Sequence, residues 1–161
     1  MDRLWSPWRY RYVSAAEPTT GCIFCQKSQE NDDERNLILY RGALNFVLLN
    51  LFPYTSGHLM IAPYAHVPLL EDADEAVATE MMLLTRIAQR NLRQSYRASG
   101  FNLGMNLGSA AGAGIAGHIH MHVLPRWTGD ANFMSTIGET RVIPEDIQET
   151  YRKLSRNSWS A

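Results

Sequence analysis

His118-Ile119-His120-Met121-His122-Val123-Leu124 alternates imidazoles with apolar side chains. Successive side chains of a strand point to opposite faces, so three histidines share one face and Ile119, Met121 and Val123 the other. A helix would scatter the same histidines around its axis. The apolar face needs a core to cover it, which predicts a strand lying on a packed layer. Three of the chain's five histidines fall within these five positions, 118 to 122. A merely solvated or hydrogen-bonded strand surface is the plain alternative, but imidazoles make poor core filler. Two chemistries use such a row: a three-histidine metal site, or a histidine nucleophile flanked by helpers.

The flanks bear on that choice. Asn106-Leu107-Gly108-Ser109-Ala110-Ala111-Gly112-Ala113-Gly114 is glycine-rich, and Gly117 stands just before the first histidine. Such loops let backbone N–H groups approach and cradle an anion, phosphate above all, although small residues also serve plain turns. Beside a histidine row the loop favours phosphate chemistry. Downstream, Pro125 is expected to end the strand, because proline cannot extend a ladder from inside a sheet.

With these residues in view, the chain resembles the histidine triad (HIT) family of nucleotide hydrolases and nucleotidylyltransferases. The family's His-φ-His-φ-His-φ-φ pattern, φ being apolar, fits positions 118 to 124 throughout. Asn50-Leu51-Phe52-Pro53, Gly57-His58-Leu59-Met60-Ile61-Ala62-Pro63 and His66 resemble its second block, and Cys22-Ile23-Phe24-Cys25 is frequent there. A narrower resemblance covers Trp5-Ser6-Pro7-Trp8-Arg9 and the segment from Pro125-Arg126-Trp127 to Asn132-Phe133. It points to the bacterial branch related to diadenosine tetraphosphate (Ap4A) phosphorylases.

Length and charge agree with this. A chain of 161 residues is expected to form one domain: an aromatic extension over 1–21, a core over 22–127 and a C-terminal extension over 128–161. Fifteen basic and 16 acidic side chains leave a formal net charge of −1, so no bulk field recruits nucleic acid or an anionic membrane. Arg3, Arg9 and Arg11 among Trp5, Trp8, Tyr10 and Tyr12 read as a docked aromatic extension, since three arginines make few phosphate contacts. No apolar stretch of about 20 residues is present and Met1-Asp2-Arg3 opens no signal peptide, so a cytoplasmic protein is expected.

Two cysteines spaced as Cys22-x-x-Cys25 cannot build a disulfide scaffold, and in a reducing compartment they read as a metal clip or as two reduced, buried thiols. A closed structural zinc site needs four ligands. The resemblance implies Cys22, Cys25, His66 and His118 as that set. No organic cofactor is expected.

Strands are expected over 37–40, 46–49, 58–62, 101–105 and 118–124. Asn31-Asp32-Asp33-Glu34-Arg35 reads as a polar loop. Asp72-x-x-Glu75 resembles a capping box opening a long helix that runs to Gly100, with Val77, Met81, Leu84, Ala88 and Leu92 as its core stripe. Pro144 is expected to start a short last helix carrying Ile147, Tyr151 and Leu154. The order β-β-β-α-β-β predicts an α+β fold: an antiparallel sheet with one long and one C-terminal helix. The resemblance adds a homodimer joined edge to edge into a continuous sheet.

It also implies roles. His120 is the nucleophile, with its second ring nitrogen donating to the backbone carbonyl of His118. His122 binds phosphate oxygens, His118 orders the row or ligates zinc, and His58 supports the triad from the neighbouring strand. Asn50 matches a ribose-binding position, though a turn asparagine before Pro53 is equally in keeping. Leu48 and Phe24 sandwich a purine or simply pack. Asn106, with Gly108, Ser109, Gly112 and Gly114, would hold phosphates. Many relatives carry Gly-Gln-Ser/Thr where Ala113-Gly114 stand, which leaves the leaving group open. The expected activity is nucleotidyl hydrolysis or transfer on Ap4A-like anhydrides of adenine nucleotides. The competing readings are a phosphoramidase or aminoacyl-adenylate hydrolase, a non-catalytic nucleotide-binding scaffold, and a three-histidine metallohydrolase.

Overall fold

The structure, a computed structural model, describes residues 21–131, 143 and 145–159. The expected aromatic arm at 1–20, Asn132-Phe133 and Pro144 lie outside the described residues. Two short helices, α1 (Ile23–Gln29) and α2 (Asp33–Asn36), lead into strands β1 (Ile38–Arg41), β2 (Asn45–Leu49) and β3 (Leu59–Pro63). Helix α3 (Glu75–Tyr96) follows, then β4 (Gly100–Gly104), β5 (Met121–Arg126) and helix α4 (Ile147–Leu154). The five strands form one sheet in the order β1-β2-β3-β5-β4, antiparallel at every pairing. This is the expected α+β class.

Side-chain alternation divides the sheet into two faces. Val47, Leu49, Leu59, Ile61, Ile119 and Val123 pack with Met81, Leu84, Ile87, Ala88 and Leu92 of α3. Phe46, Leu48 and Ala62 face the other way and pack with Phe24 of α1 and Ile38, with Met60 and Ile115 at the margin. Burial on both faces explains why β2 is buried along its whole length. At about 25 cal/mol per Å² of apolar area, these two layers are the main favourable term of the fold.

Three boundaries differ from the sequence expectations. The strand carrying the triad pairs only from Met121, and it continues through Pro125 to Arg126. Beyond the Ile61–Met121 pair β3 runs on to Pro63 beside β2 but no longer pairs with residues 118–120, and Ile119 donates its N–H to the Val67 carbonyl at 2.9 Å instead of joining a ladder. The β3 ladder stops at the Leu59–Val123 pair, so β5 has a partner on one side only at Pro125, where a residue lacking N–H is tolerated.

The long helix begins at Glu75 with Asp74 at its cap, while Asp72 belongs to the preceding 3-10 turn Leu70–Asp72. It closes at Arg97 in left-handed conformation (φ 52°), whose N–H reaches the Arg93 carbonyl, and Gly100 opens β4 rather than following the helix. The polar stretch around Asp32 is not all loop, because the Asp32 carboxylate accepts from the Arg35 N–H and starts α2. At the last helix it is Asp146 that caps, accepting from the Gln148 N–H. After β5, the Arg126 guanidinium holds both carboxylate oxygens of Asp130 at 2.6 Å and Asn102 Oδ1 at 2.6 Å. That network, with the Trp127 indole N–H on the Tyr96 carbonyl at 3.0 Å, fastens the Pro125–Asp130 turn to α3 and β4.

Candidate active site

Register places the site. Leu48 of β2 stands opposite Met60 of β3, and Met60 opposite His122 of β5, so three strands carry one row of side chains on the face away from α3. Leu48, Met60 and His122 line an open cavity together with His120, Phe24, Ile23 and Lys27 of α1, Asn50, Tyr54, Asn106, Gly112, Gly114 and Ile115. Its walls are mostly apolar and its floor bears the imidazoles, the form of a small-molecule site with a few placed polar groups. Of the residues expected from sequence, His120, His122, Asn50, Asn106, Gly112, Gly114 and Leu48 meet here, whereas Gly108 and Ser109 are not among the lining residues. Lys27, Tyr54 and Ile115 were not singled out from sequence. Ile23 and Lys27 share a helix face at i, i+4, but nothing in residues 22–29 announces a helix beyond the cysteine spacing.

A chain of hydrogen bonds fixes the protonation of each triad ring. His58 Nδ1 receives the Tyr54 backbone N–H at 3.1 Å and the Asn50 Nδ2–H at 3.3 Å, so it carries no proton. The proton of neutral His58 is therefore on Nε2, which lies 2.9 Å from His122 Nδ1 and donates to it. His122 in turn keeps its own proton on Nε2. His120 Nδ1–H donates to the His118 carbonyl at 2.9 Å, which leaves the lone pair on Nε2. The rings of His120 and His122 meet edge-on with centroids 4.8 Å apart. An electron-pair donor and an N–H donor thus lie side by side.

Burial keeps these rings neutral. Desolvation, with His122 and His120 nearby, pushes the His58 pKa down to about 3. Desolvation, reinforced by His120, takes His122 down to about 4. His120 is lowered by burial, partly offset by its bond to the His118 carbonyl.

The glycine-rich loop is more closed than its composition suggests. Ser109–Ala111 form a 3-10 turn between Gly108 (φ 78°) and Gly112 (φ 82°), both at positive φ. The N–H groups of Ala111, Gly112 and Ala113 bond back to the carbonyls of Gly108, Ser109 and Gly108. Gly112 and Gly114 nevertheless reach the cavity wall. Asn50 combines both of its expected parts: its Oδ1 accepts the Phe52 N–H at 3.0 Å, as a turn asparagine does, and the residue also lines the cavity.

Behind the triad, one ligand atom from each of Cys22, Cys25, His66 and His118 lies within 4.8 Å of the others. His118 Nε2–H donates to the Pro63 carbonyl at 2.9 Å, so its lone pair is on Nδ1, 3.3 Å from Cys22 Sγ and 3.3 Å from His66 Nδ1. Two sulfurs and two imidazole nitrogens converging in this way match the donor set and number of a tetrahedral zinc site. The four residues fit a metal.

Comparison with known proteins agrees with this geometry. The HIT domain model matches residues 31–129. A Mycobacterium tuberculosis protein named AP-4-A phosphorylase is 41% identical over 99% of this chain and 85% of its own length. The asymmetrical bis(5'-nucleosyl)-tetraphosphatase of Schizosaccharomyces pombe is 31% identical over 58% of this chain and 50% of its own. Among solved structures, a Zn-bound histidine triad family protein from Mycobacterium smegmatis superposes with a TM-score of 0.67 at 26% identity, covering 84% of this chain and 91% of that one.

Proposed function

The chain belongs to the HIT domain family, and from that premise we propose that it cleaves Ap4A-like nucleoside 5′-phosphate anhydrides through a nucleotidyl group carried on His120. The observation that carries this reading is the 2.9 Å bond from His120 Nδ1–H to the His118 carbonyl, which leaves an uncharged Nε2 lone pair at the cavity. That lone pair attacks the phosphorus next to the ribose. A P–N bond forms and the P–O bond to the remaining polyphosphate breaks, dividing one hard displacement into two. His122 Nε2–H donates to the departing oxygen. Water or inorganic phosphate then attacks the same phosphorus, the P–N bond breaks with its electron pair returning to Nε2, and a proton carried in by the attacking water is released to solvent. The apolar slot of Phe24, Leu48, Met60 and Ile115 receives the base, and Asn50 and Asn106 stand where ribose and phosphate would lie.

The phosphorylase named among the relatives favours phosphate as acceptor. Cys22, Cys25, His66 and His118 are read as zinc ligands, in keeping with the Zn-bound neighbour. When bound, the ion supplies a fixed crosslink between α1, the loop after β3 and the segment before β5. The exposed edge of β4, at Asn102, Leu103 and Gly104, is where a second copy would pair, which sedimentation tests. A cytoplasmic location completes the reading. Among the described residues, no helix is long and apolar enough to cross a membrane.

The deciding experiment is a rapid quench with Ap4A labelled at the phosphorus next to the ribose. Acid-labile, base-stable label on the protein, absent from His120→Asn, is the expected result; product formation with no labelled protein at any time would refute the reading. Products distinguish the acceptor: ADP plus ATP means phosphate, AMP plus ATP means water.

A further inference from the structure

We propose that the Cys22–Cys25–His66–His118 cluster is a positioning device for the nucleophile: metal occupancy holds the carbonyl that decides which ring nitrogen of His120 bears its proton. The inference rests on the zinc reading above and extends it.

Two physical routes join the cluster to His120. The first is the peptide chain of His118. Its ring belongs to the cluster and its carbonyl accepts the His120 Nδ1–H at 2.9 Å. Residues 118–120 precede the ladder of β5, which begins at Met121, so sheet pairing does not fix that carbonyl. It is held by the Ile119 N–H on the Val67 carbonyl at 2.9 Å, by the His118 ring on the Pro63 carbonyl at 2.9 Å, and by the cluster. The second route runs through Phe24. This residue lies between the two cysteines at the start of α1, and its ring centroid is 5.1 Å from that of His118 and 4.9 Å from that of His120. A ligated Cys22–Cys25 pair pins the first turn of α1, and with it the ring that packs against the nucleophile.

Without a metal, His118 Nδ1 has only hydrogen bonds to hold it, from a His66 Nδ1–H or the Cys22 thiol, each 3.3 Å away. These are more adaptable than a bond to a metal, so the His118 ring is freer to turn or to move its proton. Either change loosens the Pro63 contact and shifts the carbonyl on which the His120 tautomer depends. His120 would then populate the form with its proton on Nε2, which cannot attack.

The test uses the full chain with ¹⁵N-labelled histidine, before and after zinc is removed by a chelator, and the variant His66→Ala, which deletes the exposed ligand. Zinc content, far-ultraviolet dichroism, AMP binding, kcat and KM accompany the imidazole nitrogen spectrum. The expected result is one zinc per chain and, on its removal, retained fold and AMP binding. The His120 signals should pass from a single Nδ1–H tautomer to a mixture. A misplaced nucleophile should lower kcat on the order of tenfold to a hundredfold with little change in KM, reversed by adding zinc back. Unchanged His120 signals and kcat after zinc has left would overturn the positioning role and leave the zinc reading standing. Absence of zinc from protein saturated with it would overturn the zinc reading and this inference together. Global unfolding of both the chelated chain and His66→Ala would also overturn the inference, assigning the cluster to the fold alone.

Discussion

His58 Nε2 lies 2.9 Å from His122 Nδ1, and this contact joins the histidine just before β3 to the triad row. His58 is almost completely buried and its other nitrogen is occupied by the Tyr54 and Asn50 N–H groups. It can therefore only donate toward His122, and His122 can only present Nε2–H to a substrate.

Replacing His58 should harm chemistry more than binding. His58→Phe keeps a ring of similar bulk but removes the donor, freeing His122 to place its proton on either nitrogen. A fall in kcat of about 10- to 100-fold with KM nearly unchanged is expected from the lost orientation. Steady-state kinetics on Ap4A check it; an equal rise in KM with kcat intact would assign His58 to binding.

Acid should silence this site later than it silences an ordinary histidine. The row works with neutral rings, and burial lowers His122 to about 4 and His58 to about 3. The profile of kcat/KM should fall only below the usual histidine value near about 6.5, as the lowered His120 and, at about 4, His122 take up protons. Stability has the same sign. The unfolded chain protonates these rings near about 6.5 while the folded chain resists, so the stabilisation is full above that pH and declines toward the folded values. Melting curves across this range test the second part.

Glu80 of α3 secures the turn between β1 and β2. Its carboxylate accepts the N–H groups of Ala43 and Leu44 and the Asn45 Nδ2–H, each at 2.8 Å. Burial alone would raise its pKa, but these donors prevail and hold it below the usual carboxylate range. Glu80→Gln turns an amide NH₂ toward a backbone N–H and should cost about 1.5–3 kcal/mol, the range for hydrogen bonds to a charged group. Because the folded pKa is depressed, the gap between wild type and variant should be widest above about pH 4.3 and close as pH falls below it. Denaturant melts at neutral and acid pH measure the gap.

Asp130 should matter for stability and not for catalysis. It receives two bonds from Arg126 and one from the Trp127 N–H at 3.1 Å, all outside the cavity. Asp130→Ala should cost about 1–2 kcal/mol, more than a solvated ion pair because the contact is bidentate and shared with the backbone. Both kcat and KM should be unchanged.

Much of this was legible in the residues. The alternation at 118–124 predicted an apolar face of Ile119, Met121 and Val123, and all three pack on the α3 side of the sheet while His120 and His122 line the cavity. The stripe Val77, Met81, Leu84, Ala88 and Leu92 is buried throughout, as 3.6-residue spacing requires. What escaped reading depended on partners distant in sequence. Whether residue 118 or 121 opens a ladder is decided by where β3 parts from β5, after Ile61, which residues 118–124 do not encode. Helix α1 is too short for a periodic signal, so Lys27 gave no sign of reaching the cavity. The closed 3-10 turn inside the glycine-rich loop is likewise invisible in a run of small residues.

Leu48, Met60 and His122 come from three different strands yet form one row. A slip of a single residue in either pairing would turn its partner toward the opposite layer, presenting an imidazole to helix α3 and an aliphatic side chain to the nucleotide. Turnover by this protein is thus also a proofreading signal for its own assembly: any molecule that processes a nucleotide has already aligned its strands correctly.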